Sequence, residues 1–271
     1  MQICYNNNMR LDKYLVEMGF FVSREKAQLA IKEGRVFVNG KIGKSSTILS
    51  ESDKVEVRAG DEYVSRGAYK LIGAQTIFGV NFFDKVVLDI GASTGGFTQV
   101  ALLGGAKKVY ALDIGHGQLD QRLVKNDRVV DLSGLDFRTS KKLDDVNLIV
   151  SDLSFISLRH ILPKITEEYP QIEAVLLFKP QFECGEVLAR KYKGVVLDKK
   201  LHMNLLSDFV SYLSSLPVTI SGLTSSPITG KNGNIEYLIH LNTIKKAIDV
   251  KKVVDEAFDK IKKTNKKNWQ N

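Results

Sequence analysis

The sequence predicts an α/β fold: a mostly parallel sheet of seven strands with helices on both faces, preceded by a small α+β unit. Three observations lead there. From Val64 onward short apolar runs alternate with helical patterns, the rhythm of βαβ units. One of those runs, VVLDI, leads directly into the glycine-rich turn GASTGG. The first 57 residues follow a different order, two helical patterns and then short strands.

The elements can be justified in turn. MRLDKYLVEMGF places Leu11, Leu15 and Met18 at helical spacing. Ser23 opens SREKAQLAIKEG, with Lys26 where a capping-box Glu would stand and Gly34 as the stop. RVFVNGKIG reads as a strand with an Asn-Gly turn, and KVEVR as another strand. RAGDEYVSRG loses all periodicity and reads as a joint. We divide the chain into 1–58, a linker at 59–63, and 64–271. In the long part strands are expected near 86–90, 108–113, 128–132, 146–151, 173–179, 217–223 and 235–241. Helices are expected near 67–78, 95–103, 117–124, 157–168, 199–214 and 245–263. The last two strands are joined by SSPITGKNGN, which suits an antiparallel hairpin at the edge of the sheet.

Bulk properties narrow the class. With 271 residues and 44% hydrophobic content the chain can fill one large core or two domains. No stretch reaches the ~18 apolar residues of a membrane span, and MQICYNNNMR reads unlike a signal peptide. Cys4 and Cys184 are too few for a disulfide framework or a metal cluster, so the expected compartment is the cytoplasm and no metal is expected. The net charge of +8 is uneven: residues 1–60 carry +3, residues 244–271 carry +5, and the middle is neutral. Basic ends on a neutral body suit a polyanion gripped from the periphery.

The turn after VVLDI is not a dinucleotide fingerprint, because Ser93 stands where the middle glycine of G-x-G-x-x-G belongs. It is not a P-loop either, since no Lys-Ser/Thr closes it. What remains is Asp89 at a strand end, Gly91, Gly95, Gly96 and a helix beginning at Phe97. A carboxylate at such a mouth suits a cationic cofactor without phosphate, and S-adenosylmethionine is one. Asp113, 24 residues beyond Asp89, is placed to take ribose hydroxyls. Asp136 follows the third strand, within reach of an adenine amino group.

Four further stretches stand out: YVSRGAYKL, SDLSFISL, LFKPQFE and GNIEYL. Asp152 and Lys179 fall at strand ends, and Lys70 lies on the helix before the first strand. Glu236 begins its strand, so it reaches the same edge only if that strand is antiparallel. A ribose hydroxyl is a poor nucleophile and must lose its proton to accept a methyl group. A lysine serves as base only when its surroundings neutralise it. Lys179 is the candidate base, Asp152 and Lys70 tune it, and Glu236 anchors Lys70 or the ribose.

On SREKA, VFVNG, YVSRGAYKL, LDIGASTGGFT, SDLSFISL, LFKPQFE, KGVVLD and GNIEYL, the chain resembles the TlyA-type proteins over about residues 9 to 242. These proteins, often labelled hemolysins, are ribosomal RNA 2′-O-methyltransferases of the FtsJ class. The resemblance implies a Rossmann-like methyltransferase sheet and an N-terminal RNA-binding domain named for ribosomal protein S-four. It also implies a Lys-Asp-Lys-Glu tetrad at Lys70, Asp152, Lys179 and Glu236. Arg10, Lys13, Arg24, Lys26 and Arg35 would contact RNA, mainly at phosphates. The implied partner is ribosomal RNA or ribosomal subunits, the implied target a cytidine ribose, and no stable membrane association is expected. Family members often carry Asn where Asp136 stands.

Other chemistries fit less well. Methylation at pyrimidine carbon 5 needs a cysteine nucleophile, and Cys184 lacks the Pro-Cys setting. Amino-group methylation usually shows an Asn/Asp-Pro-Pro-aromatic tetrapeptide, and KPQF is a distant echo of it. The alternative from a different class is a membrane-active, hemolysin-like protein. It would use a basic amphipathic C-terminal helix with Ile244, Ile248, Val253, Ala257 and Ile261 on one face.

Overall fold

The structure is a computed structural model. It describes residues 9–268 except 22, 33, 51 and 58–62, and at 26, 231 and 263–268 it describes the backbone alone. The chain divides into two compact units, Met1–Glu62 and Tyr63–Asn271. Most of the expected joint at 59–63 lies outside the described residues.

In the first unit β1 (Met9–Arg10) runs into α1 (Leu11–Glu17), followed by α2 (Arg24–Lys32), β2 (Val36–Val38), β3 (Lys41–Ile42), β4 (Ile48–Leu49) and β5 (Val55–Val57). β1 pairs with β4, and β2 lies between β3 and β5, all antiparallel. Asn39 (φ 51°) and Gly40 (φ 78°) both adopt left-handed geometry, as the tight β2–β3 turn requires. The helical stripe of α1 delivers Leu11 and Leu15 to a core shared with Ala27, Ala30, Ile31, Val36 and Leu49.

The second unit opens with α3 (Gly67–Phe78), β6 (Val86–Ile90), α4 (Gly96–Leu103) and β7 (Lys108–Asp113). It continues with α5 (Gln121–Val124), β8 (Val129–Ser133), β9 (Leu148–Ser151), α6 (Leu162–Glu168) and β10 (Glu173–Phe178). Then come α7 (Pro180–Glu183), α8 (Gly185–Lys191), α9 (Lys199–Ser214), β11 (Ile220–Ser225), β12 (Tyr237–Leu241) and α10 (Val250–Asn268). The seven-stranded sheet has the order β11-β12-β10-β9-β6-β7-β8. Only β12 opposes its neighbours, pairing antiparallel with both β10 and β11. Both faces are covered, so every residue of β6 and β12 is buried, and a core cluster lies on each side. β6 lies beside both β7 and β9, so the chain order reverses there, and a crevice opens at the carboxyl ends of β6 and β9.

Several boundaries differ from the sequence reading. The helix expected over 117–124 is only the turn of α5, capped by Asp120, because Gly115 and Gly117 precede it. The helix expected over 157–168 splits into a 3-10 turn at Leu158–His160 and α6, with Pro163 in the first turn of α6 where its missing N–H is harmless. Two short helices, α7 and α8, occupy a stretch for which no element was expected. The last helix begins at Val250 rather than 245. Its Val254 and Ala257 are buried, and Val253, Phe258 and Ile261 pack on the sheet's core, while Ile244 is exposed before the helix. The apolar face proposed for a bilayer is thus largely used inside the protein. Among the described residues no helix is long and apolar enough to cross a membrane.

Candidate active site

Strand register explains why distant residues meet. Ser151 of β9 pairs with Ile90 of β6, so Asp152 emerges beside the glycine-rich turn. Phe178 of β10 pairs with Tyr237 of β12 in antiparallel register, so Lys179 leaves one strand where Glu236 enters the other. α3 supplies Lys70. The four side chains form one chain of ion pairs. Glu236 Oε2 lies 2.8 Å from Lys70 Nζ, Lys70 Nζ lies 3.2 Å from Asp152 Oδ2, and Asp152 Oδ1 lies 2.7 Å from Lys179 Nζ. All four are largely buried, with side-chain exposures of 10% or less except for 17% at Asp152. Burial opposes the Asp152 charge, but Lys179 and Lys70 outweigh it and hold its pKa below the ordinary carboxylate range. Burial likewise opposes the Lys70 ammonium, and Asp152 and Glu236 overcome it and raise the Lys70 pKa. Lys70 is therefore held as a cation.

Three residues at this site escaped the sequence reading. Ser154 Oγ accepts a hydrogen bond from Lys179 Nζ at 2.8 Å. Gln181 is buried and donates from Nε2 to Glu236 Oε1 at 3.2 Å. Phe155 is 91% exposed, with a left-handed φ of 65°, and its ring lies 5.1 Å from that of Phe182. A bulky residue in that region is strained by about 1–3 kcal/mol. Ser157 Oγ and the Leu158 N–H both bond the half-buried Glu183 carboxylate, tying the Phe155 loop to α7. Ser154, Phe155 and Gln181 all lie inside the stretches singled out above, and neither their exposure nor their partners could be read from periodicity.

The glycine-rich turn faces the same cavity, of about 680 Å³, which is lined by Lys70, Asp152, Lys179 and Glu236 together with Gly91, Ser93, Gly96 and Phe97. Gly91 has φ 87°, and a Cβ there would meet the backbone of Asp152 at 3.2 Å. Gly96 lies so close to Ala68 N that a Cβ would sit at 2.9 Å from it. Side chains at either position would push the turn away from the tetrad. Ser93 (φ 49°) holds the left-handed geometry without being glycine, its N–H bonding Asp113 Oδ2 at 2.9 Å.

The acidic residues assigned to the cofactor sit differently from the expectation. Asp89 does not open onto the mouth of the turn. It is fully buried beneath it, accepts from Thr98 Oγ1 at 2.7 Å, and is absent from the cavity wall. Burial, only partly offset by Thr98, pushes its pKa up to about 7. Asp113 spends one oxygen on the Ser93 N–H and the other on the Gly115 N–H at 2.7 Å, so it braces the turn. Asp136 is turned onto Arg138, which contacts both of its oxygens and lowers its pKa. Gly95 (φ 94°) packs against Leu119 and Leu123 rather than lining the cavity.

In the first unit Arg10 and Arg24 converge on Asp12, and Lys13 pairs with Glu17 at 3.4 Å. The Arg35 guanidinium lies 6.0 Å from the Phe21 ring centroid. Arg10 lies on β1 and Arg35 precedes β2, so neither is helical. The Lys26 side chain lies outside the described residues.

A family model for FtsJ-like methyltransferases matches residues 63–243, the unit that holds all four tetrad residues. The chain belongs to the FtsJ-like methyltransferase family. A second model, the S4 domain, matches residues 9–55. Among related proteins, Hemolysin A of Brachyspira hyodysenteriae is 43% identical over 86% of this chain and 99% of its own length. The 23S rRNA (cytidine-2′-O)-methyltransferase TlyA of Campylobacter jejuni is 35% identical over 86% of this chain and 98% of its own. A solved Streptococcus thermophilus structure named as a hemolysin superposes with a TM-score of 0.73 at 34% identity, covering 96% of this chain and 99% of that one.

This methyltransferase takes its methyl group from S-adenosylmethionine. The cavity fits that donor. Its volume suits a nucleoside-sized ligand, the turn brings bare backbone to the wall, and no lysine or arginine lies on the turn to receive a phosphate.

Proposed function

We propose that the protein methylates the 2′-hydroxyl of a ribose in ribosomal RNA, with cytidine as the target nucleoside and Lys179 as general base. The observation that carries this reading is the unbroken chain Glu236–Lys70–Asp152–Lys179, which lines the same cavity as the glycine-rich turn. When bound, S-adenosylmethionine supplies an electrophilic methyl group. The turn Gly91–Phe97 would hold it, with Asp113 as brace.

The chain's own residues do the rest. An amine that is to take a proton needs its lone pair free and aimed. Asp152 Oδ1 and Ser154 Oγ engage the Lys179 amine in two directions, which leaves a third for the ribose hydroxyl. Lys179 Nζ would take the proton from the 2′-oxygen as that oxygen bonds the methyl carbon, with the electrons of the broken sulfur–methyl bond left on the donor's sulfur as a neutral thioether. Lys70, held as a cation between two carboxylates, stabilises negative charge developing on the oxygen. Phe155 offers an exposed ring at the rim on which an unstacked base can lie, beside Phe182.

The cytidine assignment follows the names of relatives such as the Campylobacter jejuni TlyA methyltransferase, and the S4 match supports RNA as the substrate. The membrane alternative is not favoured, because the apolar residues of α10 pack on the sheet's core. The test is transfer of a tritiated methyl group to ribosomal RNA followed by alkaline hydrolysis. A 2′-O-methyl group blocks cleavage at its own linkage, so the label should appear in dinucleotides. Label in mononucleotides would mean base methylation and would remove the proposal.

A further inference from the structure

Asp12, the second residue of α1, is completely buried yet carries a charge. Four donors converge on it. Arg10 reaches Oδ1 through Nε at 3.1 Å and Oδ2 through Nη2 at 3.2 Å. Arg24 Nη2 reaches Oδ2 at 2.9 Å, and Gln28 Nε2 reaches the same oxygen at 2.7 Å. Burial alone would favour the neutral acid, but the bonds from Arg10, Gln28 and Arg24 hold its pKa well below the ordinary carboxylate range.

Both arginine side chains nevertheless remain half-exposed, at 48% for Arg10 and 52% for Arg24. The contacts use two N–H groups of Arg10 and one of Arg24, and each guanidinium has five. One carboxylate thus gathers two forks from the end of β1 and the start of α2, with a residual charge of +1 and guanidinium N–H groups that Asp12 does not use. Long arginine side chains normally lose rotamer freedom when they grip an anion. Here much of that freedom is already gone.

We propose that Asp12 is a positioning residue that holds Arg10 and Arg24 as a pre-formed two-guanidinium seat for an RNA phosphodiester, with Gln28 locking the carboxylate from α2. This rests on the reading that the first unit grips RNA. It makes an inverted prediction. Asp12→Asn removes a negative charge from the RNA-facing unit. If charge alone mattered, RNA would bind more tightly, and the plot of log affinity against log salt would steepen by about one unit. With the seat, the freed arginines disperse, and binding weakens about tenfold with no steepening.

The experiment is fluorescence anisotropy of a labelled RNA stem-loop titrated with the full-length protein at about 50 to 300 mM KCl. The variants are Asp12→Asn, Asp12→Glu and Arg24→Lys, each checked by circular dichroism and thermal unfolding. The seat predicts weaker binding by Asp12→Asn and recovery in part by Asp12→Glu. It also predicts about tenfold loss in Arg24→Lys, which keeps the charge and loses the fork. Arg24→Lys leaves Asp12 paired with Arg10 and Gln28, so it decides the matter if Asp12→Asn unfolds the unit. Equal or tighter binding by a folded Asp12→Asn, or unchanged binding by Arg24→Lys, overturns the seat. A wild-type protein with no salt-dependent affinity for the stem-loop overturns the RNA reading of the unit, and the seat with it.

Discussion

Replacing Lys179 by methionine removes the amine and keeps most of the stem. In the native site the amine touches Asp152 at 2.7 Å and Ser154 at 2.8 Å, and the side chain is 7% exposed. Removing one member of a buried pair usually strands the other, at about 3–5 kcal/mol. Here Asp152 keeps Lys70 at 3.2 Å, so no carboxylate is left alone and the fold should survive. Positioned general bases contribute about 10²- to 10⁴-fold to rate, or about 3–5 kcal/mol of barrier. Single-turnover transfer of tritiated methyl groups to ribosomal RNA should therefore slow by at least about a hundredfold. Calorimetry should show donor affinity within about threefold of wild type, since Lys179 is outside the glycine-rich turn. A residual rate within about tenfold of wild type, or donor binding lost in proportion to rate, would refute the assignment.

Three other outcomes are expected. Phe155→Ala should raise the KM for RNA about tenfold with a smaller change in kcat, in line with about 1–3 kcal/mol for base–aromatic stacking; steady-state kinetics check this, and an unchanged KM would remove the ring from substrate binding. Asp89 has a folded-state pKa of about 7 against 3.8 for the free group, so the unfolded chain loses that proton first and stability falls as pH rises between those values. Asp89→Asn should therefore gain up to about 3 kcal/mol relative to wild type on going from pH 5 to pH 8; urea unfolding at both pH values measures it, and a difference independent of pH would show an ordinary titration. Deleting residues 1–57 should lower RNA affinity and flatten its salt dependence, whereas an unchanged slope would place the RNA grip in the second unit.

How much of this was legible in the sequence differs from residue to residue. The sheet was legible because parallel strands buried on both faces read as continuous apolar runs, and VVLDI and LIVS are such runs. Glu236 could be placed only conditionally, since its position at the start of a strand puts it at this edge only if that strand runs antiparallel, and β12 does so against β10. Asp89 was misplaced because a carboxylate at a strand end looks like a ligand, and nothing local to the sequence reveals that Thr98, in the first turn of α4, takes it. The ion pair of Asp136 with Arg138, two residues away, was equally hidden, because proximity in sequence does not say which way a loop carboxylate turns. Asp12 passed unnoticed because a helix-start acid is ordinary, and only tertiary structure brings Arg24 and Gln28 to it.

The measurement closest to the central claim is nucleoside mass spectrometry of ribosomal RNA incubated with a deuterium-labelled methyl donor and either the wild-type protein or Lys179→Met. The account predicts labelled 2′-O-methylcytidine with the wild type and almost none with the variant. Label on a base, or similar yields of the methylated ribose from both proteins, would contradict it.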